Sequence, residues 1–88
     1  MSPSEAQSLA DVRGYAAANR IEFGPHARLR MGQRHAGRED VRQALMTGTS
    51  CHAEAGERWR VEGGRDRDGD ELTAVVVFED GVLVVTLF

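Results

Sequence analysis

The sequence predicts an α+β fold in which N-terminal helices pack on an antiparallel sheet. Up to Gly48, apolar residues recur mainly at the three- and four-residue spacing of amphipathic helices. After Gly48 the pattern changes to alternating or Val-rich segments separated by glycine-containing turns, which is typical of strands. With 88 residues, the chain has room for one domain, residues 1–88, with three or four strands.

The first half predicts three helices and one short strand. Ser2 and Glu5 have the spacing of a capping box and Pro3 suits the first helical position, so a helix should begin here and run to about Ala18. The other predicted elements are a strand at Arg20–Phe23, a helix at about Pro25–Gln33, and a helix from about Arg38 to Thr47 that stops at Gly48.

The second half predicts a meander of strands. Ser50–Ala55 has the pattern of a weak edge strand, and Arg58–Glu62 alternates between polar and apolar residues. Leu72–Phe78 and Val82–Phe88 flank Asp80-Gly81, a strong signal for a tight hairpin turn. Both of these last strands are apolar at consecutive positions, which predicts that they lie at the centre of the sheet.

Charge and composition exclude several functional classes. All eleven basic residues are arginines, and the net charge of −3 argues against strong non-specific binding to nucleic acid. Residues 1–48 carry seven arginines and five acids, whereas residues 49–88 carry four arginines and nine acids, so an anion should be attracted to the helices. The single Cys51, the absence of a secretion signal and the absence of a long apolar segment predict a cytoplasmic protein that does not span a membrane.

His26, Arg30 and Arg34 form the candidate functional site, because residues four apart share one face of a helix. A group that can move protons would then lie beside two fixed cations, an arrangement suited to binding a phosphate and acting on it. The alternative is an ordinary solvated helix face on which both arginines pair with acids of the sheet.

Arg60 would extend this site if its face of the sheet turned towards the second helix. Strand alternation places the side chains of Arg58 and Arg60 on one face of the strand and that of Trp59 on the other. The alternative for Arg60 is a solvent-facing strand whose arginines form ion pairs with Glu54, Glu57 and Glu62. The histidines and the cysteine lack metal-ligand spacing, and the acidic segment 66–71 departs from the calcium-loop pattern, so no metal or cofactor is predicted.

The segment Ile21–Arg34 resembles the opening signature of a bacterial family, domain-of-unknown-function family 4258. That signature is a short strand followed by His-Ala, two residues, Arg-Met, two residues and Arg. The likeness continues through a Val-x-x-Ala-Leu unit with a following glycine, a strand with an arginine, and a final apolar hairpin, and so covers residues 20–88. Residues 1–19 form the additional N-terminal helix. The matching positions are Val41, Ala44, Leu45, Gly48, Arg60, Leu72–Phe78 and Val85-Thr86.

This family is similar to the RelE-like RNA-cleaving toxins of bacterial toxin–antitoxin systems. The resemblance implies a RelE-like domain with metal-independent ribonuclease activity, in which His26 is the acid or base and Arg30, Arg34 and Arg60 stabilise the phosphate. It also implies a cognate antitoxin and RNA as partners. The alternative is a non-catalytic module of the same fold that binds an anion or a protein. A homodimer formed through the Ser50–Ala55 edge is a third expectation.

Overall fold

The computed structural model describes all residues from Met1 to Phe88. It contains three helices and five strands in the order α1, β1, α2, α3, β2, β3, β4, β5. Their bounds are α1 Pro3–Ala17, β1 Ile21–Phe23, α2 Pro25–Arg34, α3 Arg38–Thr47, β2 Ser50–Glu54, β3 Arg58–Glu62, β4 Ala74–Phe78 and β5 Val82–Leu87. None of the helices is long and apolar enough to cross a bilayer.

The helices form where capping residues and apolar spacing predict them. α1 begins at the expected capping box, in which the Ser2 hydroxyl accepts the Glu5 N–H and the Glu5 carboxylate accepts the Ser2 N–H. α2 ends at Arg34 and is followed by His35, which adopts a left-handed conformation with φ 53°. α3 ends before Gly48, but Gly48 has φ −51°, so it does not end the helix as a left-handed glycine. Instead, a Cβ at Gly48 would lie 2.6 Å from Val61 Cγ1.

The sheet has five strands in the order β1-β5-β4-β3-β2. The predicted antiparallel meander is present as β2 to β5, and β4 and β5 occupy the centre. The expectation of a purely antiparallel sheet with three or four strands is wrong, because β1 pairs in parallel with β5, Ile21 opposite Val82. The predicted strand Leu72–Phe78 also begins later, at Ala74. A three-residue strand carries too little pattern to indicate such a distant partner.

One face of the sheet packs against the helices and forms the core. All eight elements contribute to a cluster of 16 buried apolar residues. The helices contribute Leu9, Val12, Ala16, Ala27, Val41, Ala44 and Leu45. The strands and the segment before β4 contribute Ile21, Cys51, Val61, Leu72, Ala74, Val76, Val82, Val84 and Leu87. Burial of this apolar surface supplies the main stabilising free energy of the fold.

The opposite face of the sheet carries charge on β2 and β3. The pairing register places His52, Arg60, Val75 and Thr86 in one row across four strands. Val75 is only 3% exposed and yet lies outside the core cluster, so this face has an apolar centre of its own. The charged side chains lie towards the β2 edge, where exposure to water keeps them solvated.

β2 is an edge strand, as its weak pattern predicts, but its outward N–H groups are occupied. The N–H of Cys51 donates to the Met1 sulfur at 3.1 Å, and the N–H of Ala53 donates to Glu5 Oε2 at 3.3 Å. A second copy that paired with β2 would have to displace both contacts. Such occupied edges are one way in which proteins limit edge-to-edge association.

Candidate anion-binding surface

α2 is held against β5 by its first residues and by one apolar stripe. The N–H of Gly24 donates to the Val84 carbonyl at 2.9 Å, and Pro25 then begins the helix with a fixed φ. Ala27 is fully buried, and Met31, one turn later, packs against the core. Because this stripe faces inward, the residues that directly precede Ala27 and Met31 in the chain lie along the border between the buried and the exposed sides of α2.

His26, Arg30 and Arg34 lie along this border and form the α2 line. The Nε of Arg30 donates to His26 Nε2 across 3.5 Å, which is a long contact. Arg34 donates from Nη2 to the Glu71 carbonyl at 3.4 Å, also a long contact. His26 and Arg34 are exposed and Arg30 is half-buried, so all three are accessible from solvent.

The guanidinium groups of α2 have no carboxylate partner. The seven ion pairs of the structure involve Arg20, Arg42, Arg60, Arg67 and His52, and none involves a residue of α2. The alternative in which Arg30 and Arg34 pair with acids of the sheet is therefore not present in the structure. A cation left without an internal counter-ion is available for an external anion.

Arg28 adds a third guanidinium to α2 that the spacing argument missed. Its Nε donates to the Phe23 carbonyl at 3.1 Å, which anchors the side chain beside the start of the helix. The ten residues of α2 thus carry three arginines and no acid. A simple count of charge over Pro25–Arg34 could have included Arg28, because the sequence signal is composition rather than periodicity.

Arg60, in contrast, is engaged on the sheet. Its guanidinium lies 3.5 Å from Glu54 Oε2 and 3.5 Å from Glu62 Oε2, and it stacks over the Phe88 ring at 4.8 Å. No hydrogen bond or ion pair connects Arg60 with His26, Arg30 or Arg34. The structure therefore brings together the residues of α2 but does not bring Arg60 to them.

The α2 line lies outside both cavities of the structure. The structure has two cavities, and neither His26, Arg30, Arg34 nor Arg60 lines either of them. No cluster of three His, Cys, Asp or Glu side chains has a geometry that could hold a metal ion. A solvated site outside any cavity exposes a ligand to water, which weakens the electrostatic stabilisation on which most catalysis depends.

Comparisons of the chain with protein-family models, with curated proteins and with solved structures found no match. The α+β architecture is shown, whereas the resemblance to domain-of-unknown-function family 4258, and through it to RelE-like toxins, stays a prediction.

Proposed function

We propose that this protein is an anion-binding module whose α2 line binds the phosphates of RNA. The observation that carries the proposal is that the arginines of α2 lack any carboxylate partner, whereas Arg60 on the sheet has two. A guanidinium group presents a planar fork of donors that matches two phosphate oxygens. RNA is the ligand that the resemblance implies.

The size of the α2 line suits a short segment of one strand. Eight residues separate His26 from Arg34, which corresponds to about 12 Å along a helix at 1.5 Å per residue. Binding through so few charges is weak and depends on salt. The net charge of −3 further limits attraction to nucleic acid as a whole. We therefore expect RNA binding that is measurable at low salt and is confined to α2.

RNA cleavage of the toxin type is the second candidate function, and the contact between His26 and Arg30 favours it. The His26 imidazole would take the proton of a ribose 2′-hydroxyl, whose oxygen then attacks phosphorus and displaces the 5′-oxygen of the next nucleotide, and that oxygen takes a proton from water as it leaves. Arg30 and Arg34 would stabilise the added negative charge. Arg60 is paired with two acids, which leaves this site with fewer cations than the resemblance implies.

Fluorescence anisotropy with a short labelled single-stranded RNA tests the binding proposal. Arg30→Gln and Arg34→Gln should each weaken binding by about three- to tenfold, since each removes one phosphate contact. Arg58→Gln is the matched control because Arg58 is exposed, forms no ion pair and lies on the sheet. It makes the same change in net charge and should alter affinity by less than about twofold.

Two results would contradict the binding proposal. RNA that fails to bind at low salt would remove it, and so would an equal loss of affinity in Arg58→Gln, which would indicate a response to net charge alone. RNA cleavage, the second candidate function, is measured by running the same samples on a gel, with a metal chelator present. Products ending in a cyclic phosphate that disappear in His26→Ala support cleavage, and intact RNA excludes it.

A cognate antitoxin remains part of the proposal as a covering partner. An acidic protein segment laid along α2 would neutralise the same guanidinium groups that bind phosphate. Such a segment should compete with RNA for the wild-type protein, and it should bind Arg30→Gln and Arg34→Gln less tightly. Calorimetry with a candidate antitoxin would measure both effects.

A further inference from the structure

A cavity of about 560 Å³ lies between two hairpin turns, away from α2. It opens where the pairing of β3 with β4 ends, because Trp59 opposite Val76 is the last pair while β4 continues to Phe78. The cavity is lined by Gly56, Glu57, Trp59, Val77, Phe78 and Glu79. We call it the hairpin cavity.

Two aromatic rings form the apolar wall of the hairpin cavity. Trp59 and Phe78 are both half-buried, with ring centroids 6.4 Å apart and ring planes at 50°. Tyr15 of α1 supports Phe78 from a centroid distance of 6.1 Å. Aromatic faces carry partial negative charge and attract cations, Trp most strongly.

The rim of the hairpin cavity is acidic. Glu57 and Glu79 are exposed, and neither takes part in any of the seven ion pairs. No arginine or histidine lines the cavity, although Arg58 follows Glu57 in the chain. Two free carboxylates beside an aromatic wall are complementary to an organic cation.

Glu57 holds its carboxylate there at a conformational cost. Gly56 and Glu57 have φ values of 78° and 58°, so the turn between β2 and β3 needs two consecutive left-handed residues. Glycine adopts this conformation without strain, whereas a glutamate does not. Strain of this kind occurs preferentially at binding sites, which is consistent with a use for the carboxylate.

We propose that the hairpin cavity binds an arginine or lysine side chain of a partner polypeptide. The cavity is within the range of volumes that bind drug-sized ligands, so it has room for a side chain together with its backbone. The part of β4 that extends beyond β3 offers an adjacent strand edge to that backbone. The proposal does not depend on the function of α2, since Glu71, which Arg34 contacts, and Glu79 lie at opposite ends of β4.

Trp59 fluorescence tests the proposal directly, because Trp59 is the single tryptophan of the chain. The probes are a capped pentapeptide with one central arginine between threonines, the same peptide with neutral citrulline, and capped arginine alone. Only the arginine pentapeptide should give a saturable change at low concentration. Its affinity should exceed that of the other two probes by at least about fivefold. The citrulline peptide lacks the positive charge, and capped arginine lacks the polypeptide backbone that would pair with the edge of β4.

Glu57→Gln and Glu79→Gln should each weaken binding of the arginine pentapeptide by about three- to fivefold. Glu71→Gln is the matched control, because it removes the same charge from an exposed position outside the cavity, and its affinity should be unchanged. Glu57→Gly separates binding from stability. It should melt at a higher temperature than the wild type, because the strain is relieved, and still bind the peptide more weakly.

Three outcomes would overturn the proposal: no saturable fluorescence change, equal binding of the citrulline peptide, or equal binding of capped arginine alone. The first removes the site and the second removes its preference for a cation. The third assigns the cavity to a small molecule rather than to a polypeptide. Circular dichroism of each variant checks that a lost signal does not come from unfolding.

Discussion

Replacing Gly64 with alanine should destabilise the protein severely, although Gly64 lies in a loop. A Cβ at this position would lie 2.0 Å from the carbonyl oxygen of Ala44 and 2.8 Å from its carbonyl carbon. These atoms belong to the backbone of α3, so no side-chain rotation relieves the clash. To restore an ordinary contact of 3.4 Å, α3 and the loop must separate by more than 1 Å.

The cost in free energy of unfolding comes from the packing contacts that are weakened when α3 and the loop separate. Val41, Ala44 and Leu45 of α3 are at most 1% exposed, and a gap of 0.5–1 Å already removes a quarter to a half of a dispersion contact. Overpacking of this kind costs about 1–3 kcal/mol and occasionally more, and we expect about 3 kcal/mol because the clash is with backbone. In a domain of this size that lowers Tm by about 12–24 °C.

Thermal and urea denaturation of Gly64→Ala, followed by circular dichroism, measures this cost. Gly32→Ala is the control, because a Cβ at Gly32 in α2 would meet no atom within 4 Å. That variant should be more stable than the wild type by about 0.5–1 kcal/mol, since alanine favours a helix over glycine. A Gly64→Ala protein within about 1 kcal/mol of the wild type would refute the packing argument.

Three further predictions concern the core, the cysteine and the response to acid. Leu45→Ala should lower the free energy of unfolding by about 2–5 kcal/mol in a urea titration, because Leu45 is fully buried, and a smaller loss would indicate a core that collapses around the cavity. Burial raises the pKa of the Cys51 thiol to about 11, so Ellman's reagent at pH 8 should label the native protein far more slowly than the urea-unfolded chain, and rapid native labelling would contradict this. The hydrogen bond from the Gly37 N–H lowers the pKa of Asp40, so its ionised form stabilises the fold above the ordinary pKa of about 3.9 and this contribution is lost as the pH falls through the lowered value. The Tm difference between the wild type and Asp40→Asn should therefore narrow below about pH 4, and a difference that stays constant would be contrary to this.

The helices and the meander could be predicted from the sequence because their signals are local. The capping box at Ser2 and the apolar spacing in α3 each fall within a few residues. The pairing of β1 with β5 could not be predicted, because it joins segments separated by most of the chain. Parallel pairing of this kind depends on the tertiary packing of everything between the two strands.

The candidate site was predictable as a line on α2 but not in its surroundings. The four-residue spacing placed His26 beside Arg30, and the structure gives the contact between them. Whether an arginine pairs with an acid depends on which side chains of neighbouring strands lie on the same face of the sheet. For Arg60 a partial signal was present, because Glu62 lies two residues later and therefore on the same face of the strand. The hairpin cavity had no such signal, since its two walls come from separate turns.

The salt dependence of RNA binding measures how many phosphates α2 contacts. If Arg30 and Arg34 each contact one phosphate, the logarithm of the association constant should fall with the logarithm of salt concentration with a slope of about −1.4. In the double variant Arg30→Gln/Arg34→Gln the slope should be close to zero, while Arg58→Gln should keep the wild-type slope. A double variant with the wild-type slope would contradict the assignment of phosphate binding to α2.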